Sequence, residues 1–90
     1  MSMKAMFYIA ETIESGVAFI LANTDWQQTT RVSFRNGSEK ILVICSFMRI
    51  RGRKVDGVYL DPLFYLNPEW SLFEERINYL GVTPKKLIGN

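Results

Sequence analysis

RVSFRNGSEKILVICSFMRI, residues 31–50, is the stretch on which the fold turns. Residues 31–34 read as a strand. Asn36 followed by Gly37 supplies the positive φ angles of a two-residue type I′ hairpin turn. Residues 40–50, rich in Ile, Val and Phe, then read as the strongest strand of the chain. Its apolar residues fall on both parities, which predicts burial on both faces over its first half.

Working outward, Asp56-Gly57 is a second hairpin signal and leads into a strand over residues 58–60. An antiparallel meander over residues 31–61 is therefore expected. On the N-terminal side, residues 5–13 alternate weakly and read as a strand. Glu14-Ser15-Gly16 reads as a turn, and the apolar run 17–22 as a second strand pairing with the first. Residues 26–30 are ambiguous: Asp25 can cap a helical turn, whereas Thr29 and Thr30 favour extended chain.

On the C-terminal side, Asp61-Pro62 stops the sheet. Asn67 caps a helix over residues 68–80, with Pro68 at its first position and Glu69 at the positive end of its dipole. Trp70, Phe73, Ile77 and Leu80 share one helical face. Gly81 ends the helix and Pro84 lies just beyond. Residues 77–87 look like the corner of a helix-turn-helix, but only residues 84–88 remain for a second helix. That is too short to read a major groove, so the tail is expected to be a structural cap. The fold class is α+β, in one domain over residues 1–90. About five strands form antiparallel hairpins or a meander, with one C-terminal helix packed on the sheet. A small, partly open β-barrel is the alternative.

The composition removes most catalytic and metal chemistry. There is no histidine and a single cysteine, Cys45, among 90 residues. A His-based triad, a zinc finger and an intrachain disulfide are thereby excluded. Gly52 and Gly57 lack phosphate-loop spacing. Asp56 and Asp61 read as turn residues, Glu74 and Glu75 as a solvated helix face. Cys45 sits in an apolar strand, where a thiol is normally inert. The expectation is a protein without catalytic residues, cofactor or metal. The longest apolar runs, 17–22 and 41–45, fall far short of the roughly 20 residues that cross a bilayer. Residues 5–10 end at Glu11 with no cleavage site, so no signal peptide is expected. A lone cysteine fits a reducing compartment, and a cytoplasmic location follows as the expectation.

Charge is the main functional signal. Residues 31–54 carry seven basic side chains against Glu39 alone, while acidic residues outnumber basic ones on both sides. Arg49, Arg51 and Arg53 share a parity, so on a strand they repeat every ~6.7 Å along one side, close to the phosphate spacing of an extended single strand. Guanidinium groups pair well with carboxylates and phosphates. Across the hairpins, Arg31, Arg35, Lys40 and Lys54 enlarge the patch. The plainer reading is a set of solvated charges that keeps an exposed strand from pairing with other chains. Aromatics between the basic residues, which single-strand binders use for stacking, are sparse: only Phe47 shares the arginines' parity. A second signal is residues 59–73, which hold Tyr59, Phe64, Tyr65, Trp70 and Phe73, five of twelve aromatics. Tyr and Trp are frequent interface anchors, although a core this small also needs them.

These features favour a small non-enzymatic binding protein of inhibitor, adaptor or accessory type. It would dock Arg49, Arg51, Arg53, Lys54, Arg31 and Arg35, with Tyr59, Tyr65 and Trp70 as anchors, on the acidic surface of a protein partner. A nucleic-acid-handling complex is one setting for such a partner. Direct nucleic-acid binding by the same ribbon is the alternative. A second copy of the chain is a further possible partner, and a membrane is not expected.

Overall fold

β1 (Lys4–Ile9) occupies the interior of an open six-stranded sheet, in the order β2-β3-β4-β1-β5-β6. The structure is a computed structural model and describes residues 4–46, 56–80 and 84–87, without the side chains of residues 76, 77, 79 and 80. β2 (Gln27–Thr30), β3 (Ser33–Asn36) and β4 (Glu39–Ile44) form an antiparallel meander. β1 runs parallel to β4 on one side and to β5 (Gly57–Leu60) on the other. β6 (Pro84–Lys86) extends the sheet parallel to β5. The sheet is mixed, and its two edges, β2 and β6, do not meet. The architecture is α+β, and the barrel alternative is overturned.

Five consecutive residues, Met6 to Ala10, are buried, so both faces of β1 are covered. Met6, Tyr8 and Ala10 face one way, with Ile41 and Val43 of β4. Helix α1 (Ile13–Asn23) covers that face through Ile20, flanked by Ile13, Val17 and Phe19. Phe7 and Ile9 face the other way, with Ile44 and Val58, under Phe73 of helix α2 (Trp70–Leu80) and Phe64. Burying each such side chain stabilises the fold by roughly 1.5–3 kcal/mol. The period-2 alternation thus divides the core into two halves, each closed by one helix.

Several sequence expectations are corrected. Residues 17–22 are not a strand but lie inside α1, so no N-terminal hairpin forms. Glu14-Ser15-Gly16 is the first turn of that helix, not a loop. Thr12 caps it: its hydroxyl accepts from the Ser15 amide at 3.0 Å, and the Ser15 hydroxyl accepts from the Thr12 amide at 3.1 Å. This reciprocal box satisfies two amides that a helix start leaves open. The contiguous apolar run hid the helical spacing of Ile13, Val17 and Ile20.

Asp56-Gly57 does not turn a hairpin, because β1 separates β4 from β5. The Asp56 carboxylate instead accepts from the Ala5 amide at 2.7 Å, fixing the start of β5 beside β1. The ambiguous segment is strand β2. The β3–β4 hairpin forms as expected, but its turn differs. Asn36 pairs with Glu39 as a strand residue, and Gly37 alone has positive φ, at 61°. Glycine at the first of two loop positions fits a type II′ turn rather than I′. The burial of β4 on both faces holds for residues 41–44. The part of the expected strand over residues 47–50 lies outside the described residues. The tail is no helical corner: residues 84–86 are an edge strand.

Candidate functional site

Parallel strands β1, β4 and β5 end on the same side of the sheet, and the polar side chains of the core gather there. The Tyr8 hydroxyl donates to Asp61 Oδ2 at 2.8 Å, and Asp61 Oδ1 accepts from the Leu63 amide at 2.9 Å. Both carboxylate oxygens are thus occupied, in a residue only 5% exposed. Burial, reinforced by the adjacent Asp61 carboxylate, pushes the Tyr8 hydroxyl far above its ordinary pKa. Asn67 is also buried. Its Nδ2 donates to the carbonyls of Ala10 at 2.8 Å, Glu11 at 3.2 Å and Cys45 at 3.2 Å. Its Oδ1 accepts from the Glu69 amide at 2.7 Å. One amide therefore joins the exits of β1 and β4 to the approach of α2. The sequence pointed to Asn67 as the cap of a helix starting at Pro68; α2 instead starts at Trp70, and Asn67 accepts from the Glu69 amide just ahead of it while holding three carbonyls that the sequence did not signal.

Past this buried layer the chain is apolar and exposed. Among the described residues, six large apolar side chains are strongly exposed, and five of them lie in residues 63–72. These are Leu63, Tyr65, Leu66, Trp70 and Leu72, between 42% and 63% exposed. Surface apolar residues are ordinary when scattered; a concentration in one short stretch is not. Among the described side chains of α2, Phe73 is the one that enters the core, edge-on to Phe64 at 5.5 Å between centroids. Trp70 is consequently not part of the buried stripe expected for it.

Tyr65 and Trp70 line a cleft of about 720 Å³ between α2 and the edge strand β6, with Leu60 and Phe64 also in its wall. Glu74 borders it on α2, and Lys86 on β6. A second cavity, about 300 Å³, lies by the end of β4 among Ile13, Val32, Leu42 and Cys45. It offers apolar surface and, among the described residues, no charged side chain. Cys45 follows β4 and is half-buried.

The remaining site expectations separate. Arg31 lies in the β2–β3 turn and Arg35 on β3; both are exposed, on the far edge of the sheet from β6. Tyr59 is a core residue rather than a surface anchor. Its hydroxyl donates to Glu39 at 2.6 Å, and its ring meets Trp26 edge-on at 6.1 Å. Burial, with that hydrogen bond, pushes its pKa up to about 12. Arg49, Arg51, Arg53 and Lys54 lie outside the described residues. The exposed leucines at 63, 66 and 72 were missed, because composition alone does not separate a surface leucine from a core one.

Among the described residues no group of three or more His, Cys, Asp or Glu side chains is placed to hold a metal ion. No described helix is long and apolar enough to cross a membrane. Compared with protein-family models, curated proteins and solved structures, the chain matches none.

Proposed function

We propose that the protein is a non-enzymatic binding module that docks on a partner protein through the exposed apolar stretch 63–72. The observation that carries this reading is the exposure of Leu63, Tyr65, Leu66, Trp70 and Leu72 within ten residues. A rigid layer beneath them supports it: Asn67, buried and bonded to three backbone carbonyls, holds the stretch in place. Rigid aromatic anchors lose little entropy on docking. The basic excess of residues 31–54 argues that the partner presents an acidic surface, since such charge steers association. An inhibitor, adaptor or accessory subunit works in this way, by occupying a surface.

The test is affinity capture from extract of the producing cells, with wild-type chain and a Tyr65→Ser/Trp70→Ser variant as parallel baits. The reading expects a co-purifying protein that the variant loses and that an Arg31→Gln/Arg35→Gln variant retains. Direct nucleic-acid binding predicts the opposite sensitivity. Labelled oligonucleotides would then bind with a steep salt dependence that falls as arginines are removed.

A further inference from the structure

The cleft between α2 and β6 has a chemistry that apolar docking does not use. It opens at the carboxyl ends of β5 and β6, the place where open sheets with parallel strands commonly bind ligands. Its volume, about 720 Å³, suits a small molecule. In-register parallel neighbours point the same way, and Leu60 pairs with Lys86. Leu60 packs on the α2 side of the sheet, while Leu87 packs on the α1 side. Lys85, which also lines the cleft, alternates to the other face of the strand, and Lys86 is therefore the basic side chain on the cleft's own face. Glu74 stands across from it on α2, exposed. Asp61 also lines the cleft, but both its carboxylate oxygens already accept hydrogen bonds, from Tyr8 and from the Leu63 amide, so it is not a free acceptor for a ligand.

The cleft thus presents exposed aromatic rings between a cation on one wall and a carboxylate on the other. A uniformly acidic ligand would meet Glu74, and a purely apolar one would leave both charges unused. A flat ring system with N–H donors on one edge and an anion at the other end satisfies every wall. We propose that the cleft binds a single nucleotide unit, with a guanine base on Tyr65 and Trp70. The base N–H edge lies on Glu74 and the phosphate on Lys86. Such a unit comes from a free nucleotide or from the end of a nucleic-acid strand; the chemistry is the same. Tyr65 and Trp70 also serve the docking reading, but nucleotide binding is read on the isolated chain, so its failure and that of docking are distinguishable.

The experiment is calorimetric titration of the isolated chain with GMP, guanosine, UMP and a short 5′-phosphorylated guanine oligonucleotide. GMP is expected to bind more tightly than guanosine and more tightly than UMP. Trp70→Ala should weaken GMP about tenfold, the scale of one lost base stack. Lys86→Gln should abolish the advantage of GMP over guanosine, and Glu74→Gln the advantage over UMP. Both exchanges are at exposed positions, and an unchanged circular dichroism spectrum verifies their folding. Tighter binding of the oligonucleotide than of GMP assigns the source to strand ends, and the reverse order assigns it to free nucleotides. No binding of either at millimolar concentration, or GMP binding indifferent to Lys86→Gln and Trp70→Ala, overturns the proposal.

Discussion

The Tyr8 hydroxyl reaches 2.8 Å to the Asp61 carboxylate, across 53 residues of chain, and ties the interior strand β1 to the exit of β5. That bond sets the position from which residues 62–72 leave the sheet. Tyr8→Phe removes the donor and leaves one buried carboxylate oxygen without its partner. The expected cost is about 1–3 kcal/mol. Denaturant unfolding of the two proteins measures it directly. An unchanged midpoint would show that the hydroxyl is dispensable.

Asn67 carries more of the structure than any other polar side chain described. Asn67→Ala frees three backbone carbonyls and the Glu69 amide together, and is expected to destabilise by on the order of 3 kcal/mol. Asn67→Asp keeps the acceptor for Glu69 but sets a carboxylate against the carbonyls of Ala10, Glu11 and Cys45. Its stability should therefore rise as pH falls and the carboxylate takes up a proton. Urea midpoints across the acidic range test this; a flat profile contradicts the assigned contacts.

Two glycines give forecasts of different severity for the same substitution. A Cβ at Gly16 would lie 2.8 Å from Ala10 Cβ and 2.8 Å from Val43 Cγ1, both held in the packed core. Alanine in a helix normally gains about 0.5–1 kcal/mol over glycine, yet here the clash should reverse the sign and cost about 1–3 kcal/mol. A Cβ at Gly57 meets the Met6 Cε at 2.5 Å and Sδ at 3.1 Å, at the flexible end of a side chain that can move aside. Gly57→Ala is accordingly the milder change. Thermal melts should rank them in that order.

Alkaline pH should unfold the protein through its buried tyrosines. Tyr59 ionises near pH 12 in the folded state, against about 10 when unfolded. The unfolded chain therefore releases this proton first. The associated stability is complete below pH 10 and is lost as pH rises through 12. Tyr8 acts in the same direction. Tyrosinate absorbance should show a late phase coincident with loss of near-ultraviolet dichroism, and Tyr59→Phe should shrink that phase. A single phase at the ordinary phenol pKa, with the fold intact, would contradict the burial of both hydroxyls.

What was legible in the sequence was local. The β3–β4 hairpin needs only Gly37 between two apolar runs, and α2 announces itself through Asn67, Pro68 and Phe73. The place of β1 was not legible. Its neighbours β4 and β5 start some 35 and 53 residues further on, and hairpin signals favour sequential pairing that the parallel crossovers override. Helix α1 was hidden by six contiguous apolar residues, although the Thr12–Ser15 box was present in the sequence. Tyr65 and Trp70 stood out as aromatics, but their exposure depends on which side of α2 meets the sheet. Phe73 buries in one cluster with Ile44 and Val58, far away in the chain, and that packing is not legible locally.

The docking function is tested most directly by site-specific photo-crosslinking in the producing cells. A photoreactive amino acid is placed at position 66 in one protein and at position 21 in another. Leu21 is a fair control, because it is 54% exposed, close to Leu66, but lies on α1 across the sheet. The account predicts a discrete adduct with an acidic protein from position 66 and none from position 21. Equal labelling from both positions, or no adduct from position 66, would contradict it.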